Sequence, residues 1–184
     1  MTNDITERVK IERELANTKV LLQSAFEQTP VPMVLVSAPD GIFRIVNPAC
    51  FEFLGVEDEP SPVGHPVDTF SQTWQDFDSE GKRVPWAELP LALALQGITT
   101  RNKEMVALRK DGTRRWEIVS AAPIYNEAGE PIAAFVVFPD ITERKRAEEA
   151  LQAEHALLAQ RVGGKDSRVE SGQRRVSQGC SAQG

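Results

Sequence analysis

The chain has 184 residues, of which 41% are hydrophobic and 26% charged, a composition typical of a globular domain with flanking segments. Its net charge of -6 at pH 7 argues against nucleic acid as the main partner. No apolar run reaches the roughly 18 residues of a membrane span, the first residues lack a signal-peptide core, and two isolated cysteines suggest neither a disulfide nor a metal site. A cytoplasmic location is therefore expected.

The first predicted element is a helix over residues 5–28. Five positions alternate at spacings of four and three, as in the narrow seam of a helix that pairs with another helix, and two of them, Thr18 and Ala25, are weak. The five are Ile11, Leu15, Thr18, Leu22 and Ala25. An amphipathic helix lying on its own domain explains this pattern equally well. Because proline disfavours a helical residue before it, Thr29–Pro32 ends the helix.

A β-hairpin and a short helix are predicted next. Met33–Val36 and Ile42–Val46 are apolar runs joined by a turn sequence, as in a hairpin. Asn47 and Pro48 suit the N-cap and the first position of a helix, which Gly55 ends.

The second half of the chain completes a sheet. Residues 56–85 show no clear period, whereas Trp86–Gln96 predicts a helix despite Pro90, with Gly97 as its C-terminal cap. Three strands joined by hairpin turns follow, at 102–108, 114–122 and 132–138. With the first hairpin they predict an α+β fold with a five-stranded antiparallel sheet, helices on one face and a helix at each end.

The strands at 114–122 and 132–138 carry apolar residues on both faces. A sheet with one face on a core normally leaves its other face in water. We therefore expect the outer face to be covered by the 5–28 helix or by a second subunit.

The junction after the last strand carries a strong local signal. Pro139 cannot donate a ladder hydrogen bond and so closes the strand. Asp140–Glu143 (Asp-Ile-Thr-Glu) fits a capping box, with Asp140 as the cap and Glu143 three residues on. The residues that follow are strong helix formers, so a buried strand is connected directly to an exposed helix.

The same motif occurs near the start of the chain, where Asp4–Arg8 repeats Asp140–Arg144 at an offset of 136 residues. We interpret residues 1–28 as the exit helix of a preceding unit, which implies derivation from a longer tandem protein. Residues 29–140 are then the domain and 141–162 its own exit helix. Residues 163–184 are predicted to be a disordered tail, because they have few apolar residues and no period.

In this order, the motifs resemble those of a PAS domain with its C-terminal PAC motif, as in the sensory part of bacterial histidine kinases and similar signalling proteins. The resemblance rests on four segments: Asp140–Leu151, Lys110–Thr113 with Trp116 after it, Asn47–Ala49, and Glu88–Leu91 before Gly97. It implies a PAS-like sheet and helices that enclose a small cavity, and a homodimer formed through the flanking helices. It also implies signal transfer at Asp140, Ile141 and Thr142, beside the capping Glu143.

Nine residues are candidates to line that cavity: Met33, Leu35, Phe43, Ile45, Phe53, Leu93, Trp116, Ile118 and Val136. A closed core without a cavity explains the same set. Because few polar groups interrupt it, a ligand is expected to be apolar or small rather than charged.

Known cofactors of this family are disfavoured. Flavin-binding relatives use a cysteine in an Asn-Cys-Arg-Phe motif, but Cys50 lies in another context and is interpreted as a buried structural thiol. Haem-binding relatives place a histidine on the helix before the third strand, and Trp86–Gly97 contains none. His65 is interpreted as a loop residue and His155 as a solvated helix position. We expect neither flavin, haem nor metal, and a small ligand of unknown identity is the remaining option.

Three functions are compatible with these features. The first is a sensory module of a two-component system, which detects a small ligand, a redox state or a partner and relays it through Asp140–Thr142 to a downstream kinase or cyclase domain. The second is a ligand-free dimerisation and relay spacer between signalling domains. The third, a small α+β enzyme, is disfavoured because no acid–base pair converges, and no catalytic residue is predicted.

Overall fold

The computed structural model of the protein describes residues 2–71 and 75–176. Its elements are, in chain order, α1 (Thr2–Gln28), β1 (Met33–Ser37), β2 (Phe43–Val46), α2 (Pro48–Leu54), α3 (Val67–Ser71), β3 (Gln75–Asp78), α4 (Pro90–Leu95), β4 (Thr100–Leu108), β5 (Arg114–Tyr125), β6 (Pro131–Val137) and α5 (Thr142–Val176). The chain divides into two compact units, Met1–Thr142 and Glu143–Gly184.

The first unit is built on a six-stranded antiparallel sheet with the order β2-β1-β6-β5-β4-β3. The predicted α+β class is confirmed, but the predicted number of five strands is wrong. The additional strand is β3, which pairs along its whole length with β4. Its sequence, Gln-Asp-Phe-Asp, has little intrinsic strand preference, so pairing with a long neighbour determines its conformation.

The predicted helix over Trp86–Gln96 is divided in two by Pro90. A single 3₁₀ turn covers Trp86–Glu88, and α4 then starts at Pro90. Leu89 between them is extended, with ψ 143°, because a residue that precedes proline is forced out of the helical region. Proline is accepted as the first residue of α4, where its missing N–H would have no partner in the helix.

The hydrophobic core lies on the sheet face that α2 and α4 cover. The β1 residues of this core are Val34 and Val36, which pair with Val136 and Ala134 of β6. These four side chains are all buried. The inner face of β1 therefore consists of its even-numbered residues, a choice that positions the cavity described below.

The outer face of the sheet meets the end of α1. The ring of Phe26 lies 6.3 Å from that of Phe135, centroid to centroid. Apolar residues elsewhere on α1 stay exposed, among them Leu15 and Leu22. Ile132 at the start of β6 is 46% exposed. The end of α1 thus covers part of the outer face of the sheet. That a second subunit covers the rest of this face stays a prediction.

Helix α5 continues through Val176, beyond the predicted end at 162. The prediction of a disordered tail from 163 is therefore wrong for residues 163–176, and residues 177–184 lie outside the described ranges. The segment 163–176 contains no proline, and adding a residue to an existing helix needs no new nucleus. Within the described ranges, no helix combines the length and apolarity needed to cross a membrane.

Candidate functional site

A cavity of about 90 Å³ lies between the inner face of the sheet and the helices. Most of its wall is apolar and includes Val34, Met105, Val119 and Phe138. Two carboxyl groups interrupt this wall, those of Asp76 on β3 and Glu117 on β5. The cavity is therefore an apolar site with acidic groups, which differs from the ligand preference expected from the sequence.

Two of the nine predicted lining residues, Phe43 and Val136, do line the cavity. The structure places the other seven elsewhere: Met33, Leu35, Ile45, Phe53, Leu93, Trp116 and Ile118. Phe53 is nevertheless part of the core, where its ring packs edge-on against that of Phe138, with centroids 5.5 Å apart.

The misplaced residues on β1 and β5 have one cause. Successive strand residues point to opposite faces, so choosing the wrong face moves every predicted side chain out of the core. Val34 faces the cavity in place of Met33 and Leu35, and Glu117 does so in place of Trp116 and Ile118. Because both faces of these strands carry apolar residues, the alternation gave no basis for the choice.

Glu117 is the least expected member of the site. It is 5% exposed, and its side chain forms no hydrogen bond within the described ranges. Burial raises the pKa of Glu117 well above its usual range, and the negative charges of Asp76 and Asp140 raise it further. Burial also raises the pKa of Asp76, to about 6. A neutral carboxyl group is thereby favoured inside the cavity.

The residues beside Glu117 hold the end of the domain. Past β6, the chain continues alongside β5, and Ile118 N donates to Pro139 O at 3.2 Å. Ile141 N donates to Trp116 O at 2.8 Å. Trp116 N in turn donates to Thr142 Oγ1 at 2.8 Å. Ile141 and Thr142 are both buried, so the predicted signal-transfer residues are part of the folded domain.

Asp140 connects this segment to β5 through its side chain. Its Oδ1 accepts a hydrogen bond from Thr142 N at 2.8 Å, as expected of a residue that caps the start of α5. Its Oδ2 lies 3.2 Å from Arg115 Nη1. The side chain of Glu143 forms no hydrogen bond within the described residues, so only the Asp140 half of the predicted capping box is present.

Comparison with known proteins agrees with this architecture. A family model described as a PAS domain matches residues 30–143. The chain belongs to the PAS domain family.

Solved structures also resemble this chain, at low sequence identity. An RNA-binding Light-Oxygen-Voltage receptor has a TM-score of 0.50 and 19% identity, over 77% of this chain and 38% of the receptor. A sensory box histidine kinase/response regulator from Burkholderia thailandensis has a TM-score of 0.49 and 18% identity, over 76% of this chain and 98% of that one. The PAS domain of an HTR-like protein from Haloarcula marismortui has a TM-score of 0.45 and 21% identity, over 72% of this chain and 98% of that domain. The chain spans only 38% of the length of the Light-Oxygen-Voltage receptor.

In this PAS domain, Asn47 joins α1 to the sheet. Asn47 Nδ2 donates to Val31 O at 2.8 Å and to Thr29 O at 3.1 Å, and Oδ1 accepts from Met33 N at 2.9 Å. The predicted capping role of its side chain is wrong, although it occupies the N-cap position of α2. Its fully buried side chain instead forms hydrogen bonds with the backbone groups that connect α1 to β1.

The residues considered for cofactor binding lie away from the cavity wall. Cys50 is buried, donates through Sγ to Met33 O at 3.1 Å, and has a pKa raised to about 12 by burial. The predicted burial of this thiol is confirmed, and its structural role stays a prediction. His65 is exposed in the loop before α3. Within the described part of the PAS domain, no cluster of three or more histidine, cysteine or acidic residues could hold a metal ion.

Proposed function

We propose that this PAS domain is the sensory module of a signalling protein and that it relays the state of its cavity through β5 to the Asp140–Thr142 junction. One observation carries the proposal. Glu117 lines the cavity, while its two neighbours in the chain, Trp116 and Ile118, form backbone hydrogen bonds to the junction. Input and output therefore meet within three consecutive residues.

A shift of Glu117 is transmitted because the strand backbone is continuous. Glu117 and Asp140 face each other as an antiparallel bridge pair between β5 and the segment that follows β6. If a ligand moves Glu117, the hydrogen-bonding groups of Trp116 and Ile118 move with it, and Pro139, Ile141 and Thr142 must follow or lose their partners. The ligand shifts the equilibrium only by its difference in affinity for the two arrangements.

The proposed output is a change at the start of α5, passed to a downstream kinase or cyclase domain of a two-component or related pathway. Pairing of two copies through the flanking helices belongs to the same proposal. The exposed apolar residues of α1, such as Leu15 and Leu22, support it because they lack a partner among the described residues of their own chain.

A ligand-free relay spacer is the second candidate. It is favoured by Asn47, which ties the backbone at the end of α1 to the first residue of β1. A signal that arrives through α1 has a direct mechanical route into the sheet at this point. In that case the cavity acts only as packing space.

Hydrogen exchange on the full chain tests the relay. Glu117→Gln replaces the ionisable carboxyl group by an amide of nearly the same shape. We expect faster or slower exchange at the amides of Trp116, Ile118 and Ile141 in this variant, and wild-type exchange there in Glu127→Gln, which removes an exposed charge in the β5–β6 turn. Unchanged exchange at the junction amides in Glu117→Gln would contradict the relay and leave the spacer as the better function.

A further inference from the structure

The polar content of the cavity is unbalanced. Two carboxyl groups face a space whose other walls are apolar, and within the described ranges neither group has a hydrogen-bond or ion-pair partner. Glu117 is almost completely removed from solvent. Its carboxyl oxygens face the cavity space itself, since no fully buried side-chain oxygen or nitrogen of the described residues is without a partner. A ligand that fills this space must therefore satisfy them or leave them unpaired. The missing complement is a donor, and preferably a positive charge.

We propose that the cavity binds a small organic cation, an ammonium group on a short apolar body, with the ammonium at Glu117 and Asp76. The inference rests on the proposed sensory function and deepens it by naming the class of ligand. An ammonium brings three N–H donors and the opposite charge to the two carboxyl groups. The apolar body would contact side chains such as Val34, Val119 and Val136.

Other classes of ligand fit the same walls less well. Calcium and magnesium ions need about six to eight oxygen ligands, or several retained waters, and an apolar wall with two carboxyl groups supplies neither. An anion would meet two acidic groups and no lysine or arginine among the lining residues. A neutral hydrocarbon would fill the space but leave Glu117 without a partner, at the cost of an unpaired buried group.

The size and the opening of the cavity also limit the ligand. A volume of about 90 Å³ is smaller than the ~150 Å³ apolar cavity that accepts benzene, so a body of a few carbon atoms is the best match. Asp76, Trp86 and Leu89 line both this cavity and a neighbouring surface groove, which also contains Lys82, Arg83 and Glu88. Asp76 therefore lies at the opening and Glu117 further inside.

Protonation of the empty site follows from the same imbalance. Because burial raises the pKa of Asp76 and of Glu117, the empty cavity retains protons that neutralise its acids. An arriving ammonium replaces such a proton, which passes to solvent. The charged groups that act on Glu117 are Asp76 on β3 and Asp140 beyond β6, both negative. Binding should therefore strengthen as the pH rises while the amine stays protonated.

Isothermal titration calorimetry on the full chain tests the proposal with n-butylammonium, and with n-butanol and butyrate as neutral and anionic probes of similar size. At about pH 8, where an alkylamine is still protonated, we expect n-butylammonium to bind about tenfold or more tightly than n-butanol, because hydrogen bonds to charged groups are the stronger kind. Butyrate should not bind. At about pH 5 the preference for the cation should shrink, and binding at high pH should release protons to the buffer.

Variants locate the binding in the cavity. Glu117→Gln should lose the preference for the cation, whereas Glu127→Gln should keep it, since both replace one glutamate carboxyl group by an amide and only Glu117 lines the cavity. If Glu117→Gln does not melt cooperatively, Asp76→Asn and the comparison of the three probes on the wild type decide the question. Equal affinity for n-butanol and n-butylammonium, preserved cation binding in Glu117→Gln, or no binding of the cation to the wild type would each overturn the proposal. The relay is tested on the unliganded protein, so it can succeed where this test fails.

Discussion

The backbone amide of Trp116 donates a hydrogen bond to Thr142 Oγ1 at 2.8 Å, so the residue before Glu117 is bound to the first residue of α5. Thr142 is buried, with 2% of its surface exposed. The hydroxyl group thus joins a strand amide of β5 to the first residue of a helix.

Thr142→Val should remove this hydrogen bond while keeping the shape of the side chain. Leaving a largely buried N–H without a partner costs about 1–3 kcal/mol, and we expect a loss of that size in the free energy of unfolding measured with denaturant. Exchange of the Trp116 amide should become faster. Thr142→Ser keeps the hydroxyl and serves as the control. Equal stability of the valine and wild-type proteins would show that the hydrogen bond contributes nothing.

Asp140 should affect signalling more than stability. Asp140→Ala removes the acceptor for Thr142 N and the partner of Arg115, and loss of a cap costs about 0.5–2 kcal/mol. Asp140→Asn retains an acceptor and loses the ion pair, which is partly exposed and worth about 1 kcal/mol or less. In a protein that carries an effector domain, we expect Asp140→Ala to uncouple output while the PAS core stays folded. Normal regulation in a folded Asp140→Ala protein would count against the junction.

Stability should fall as the pH rises through the acidic and neutral range. Asp76 has an ordinary pKa of 3.8 and a folded-state pKa of about 6, so the folded protein binds more protons between these values and loses stability as the pH increases. Glu117, whose pKa is also raised, extends the loss to higher pH. For Asp76 alone the decrease is of the order of 2–3 kcal/mol. The melting temperature should depend less on pH in Glu117→Gln than in the wild type, and in Glu127→Gln it should change with pH as in the wild type.

The strands that could be predicted from the sequence are those with clear local signals. β5 and β6 are apolar runs bounded by turn residues, and Gly112 in the turn before β5 has a φ of 81°, which suits glycine. β3 has no such signal, because its conformation depends on the partner strand β4. The same limit applies to the cavity. With apolar residues on both faces of β5, the pattern favours Trp116 and Ile118 as cavity residues, although it is Glu117 between them that faces the core.

Asn47 shows a related limit. An asparagine before a proline at a helix start favours a capping role, and the backbone does adopt that position. Its side chain, however, bonds to Val31 and Met33, residues brought near only by the path of the chain between α1 and β1. Such a role depends on tertiary structure and leaves no periodic signal in the sequence.

Replacing Asn47 should therefore destabilise the whole domain. Asn47→Ala leaves the partly buried Met33 amide without its acceptor and the carbonyl groups of Thr29 and Val31 without this donor. An unsatisfied buried group costs about 1–3 kcal/mol, so a loss of roughly 2–4 kcal/mol in unfolding free energy is expected. Pro48→Ala, next to it at the first position of α2, should cost much less. If Asn47→Ala lowered the free energy of unfolding by less than Pro48→Ala does, these hydrogen bonds would be unimportant.

The exposed seam of α1 makes a prediction about assembly. Leu22 is 66% exposed, so Leu22→Glu should leave the unfolding free energy of the monomer nearly unchanged. If two chains pair through α1, the new charge would be buried in the interface, and sedimentation velocity should show a shift from dimer to monomer. Asn17→Glu adds the same charge on the opposite side of the helix and should preserve the dimer. A dimer that survives Leu22→Glu would assign the pairing to another surface, and a wild-type monomer at all concentrations would remove the helix-mediated dimer from the proposed function.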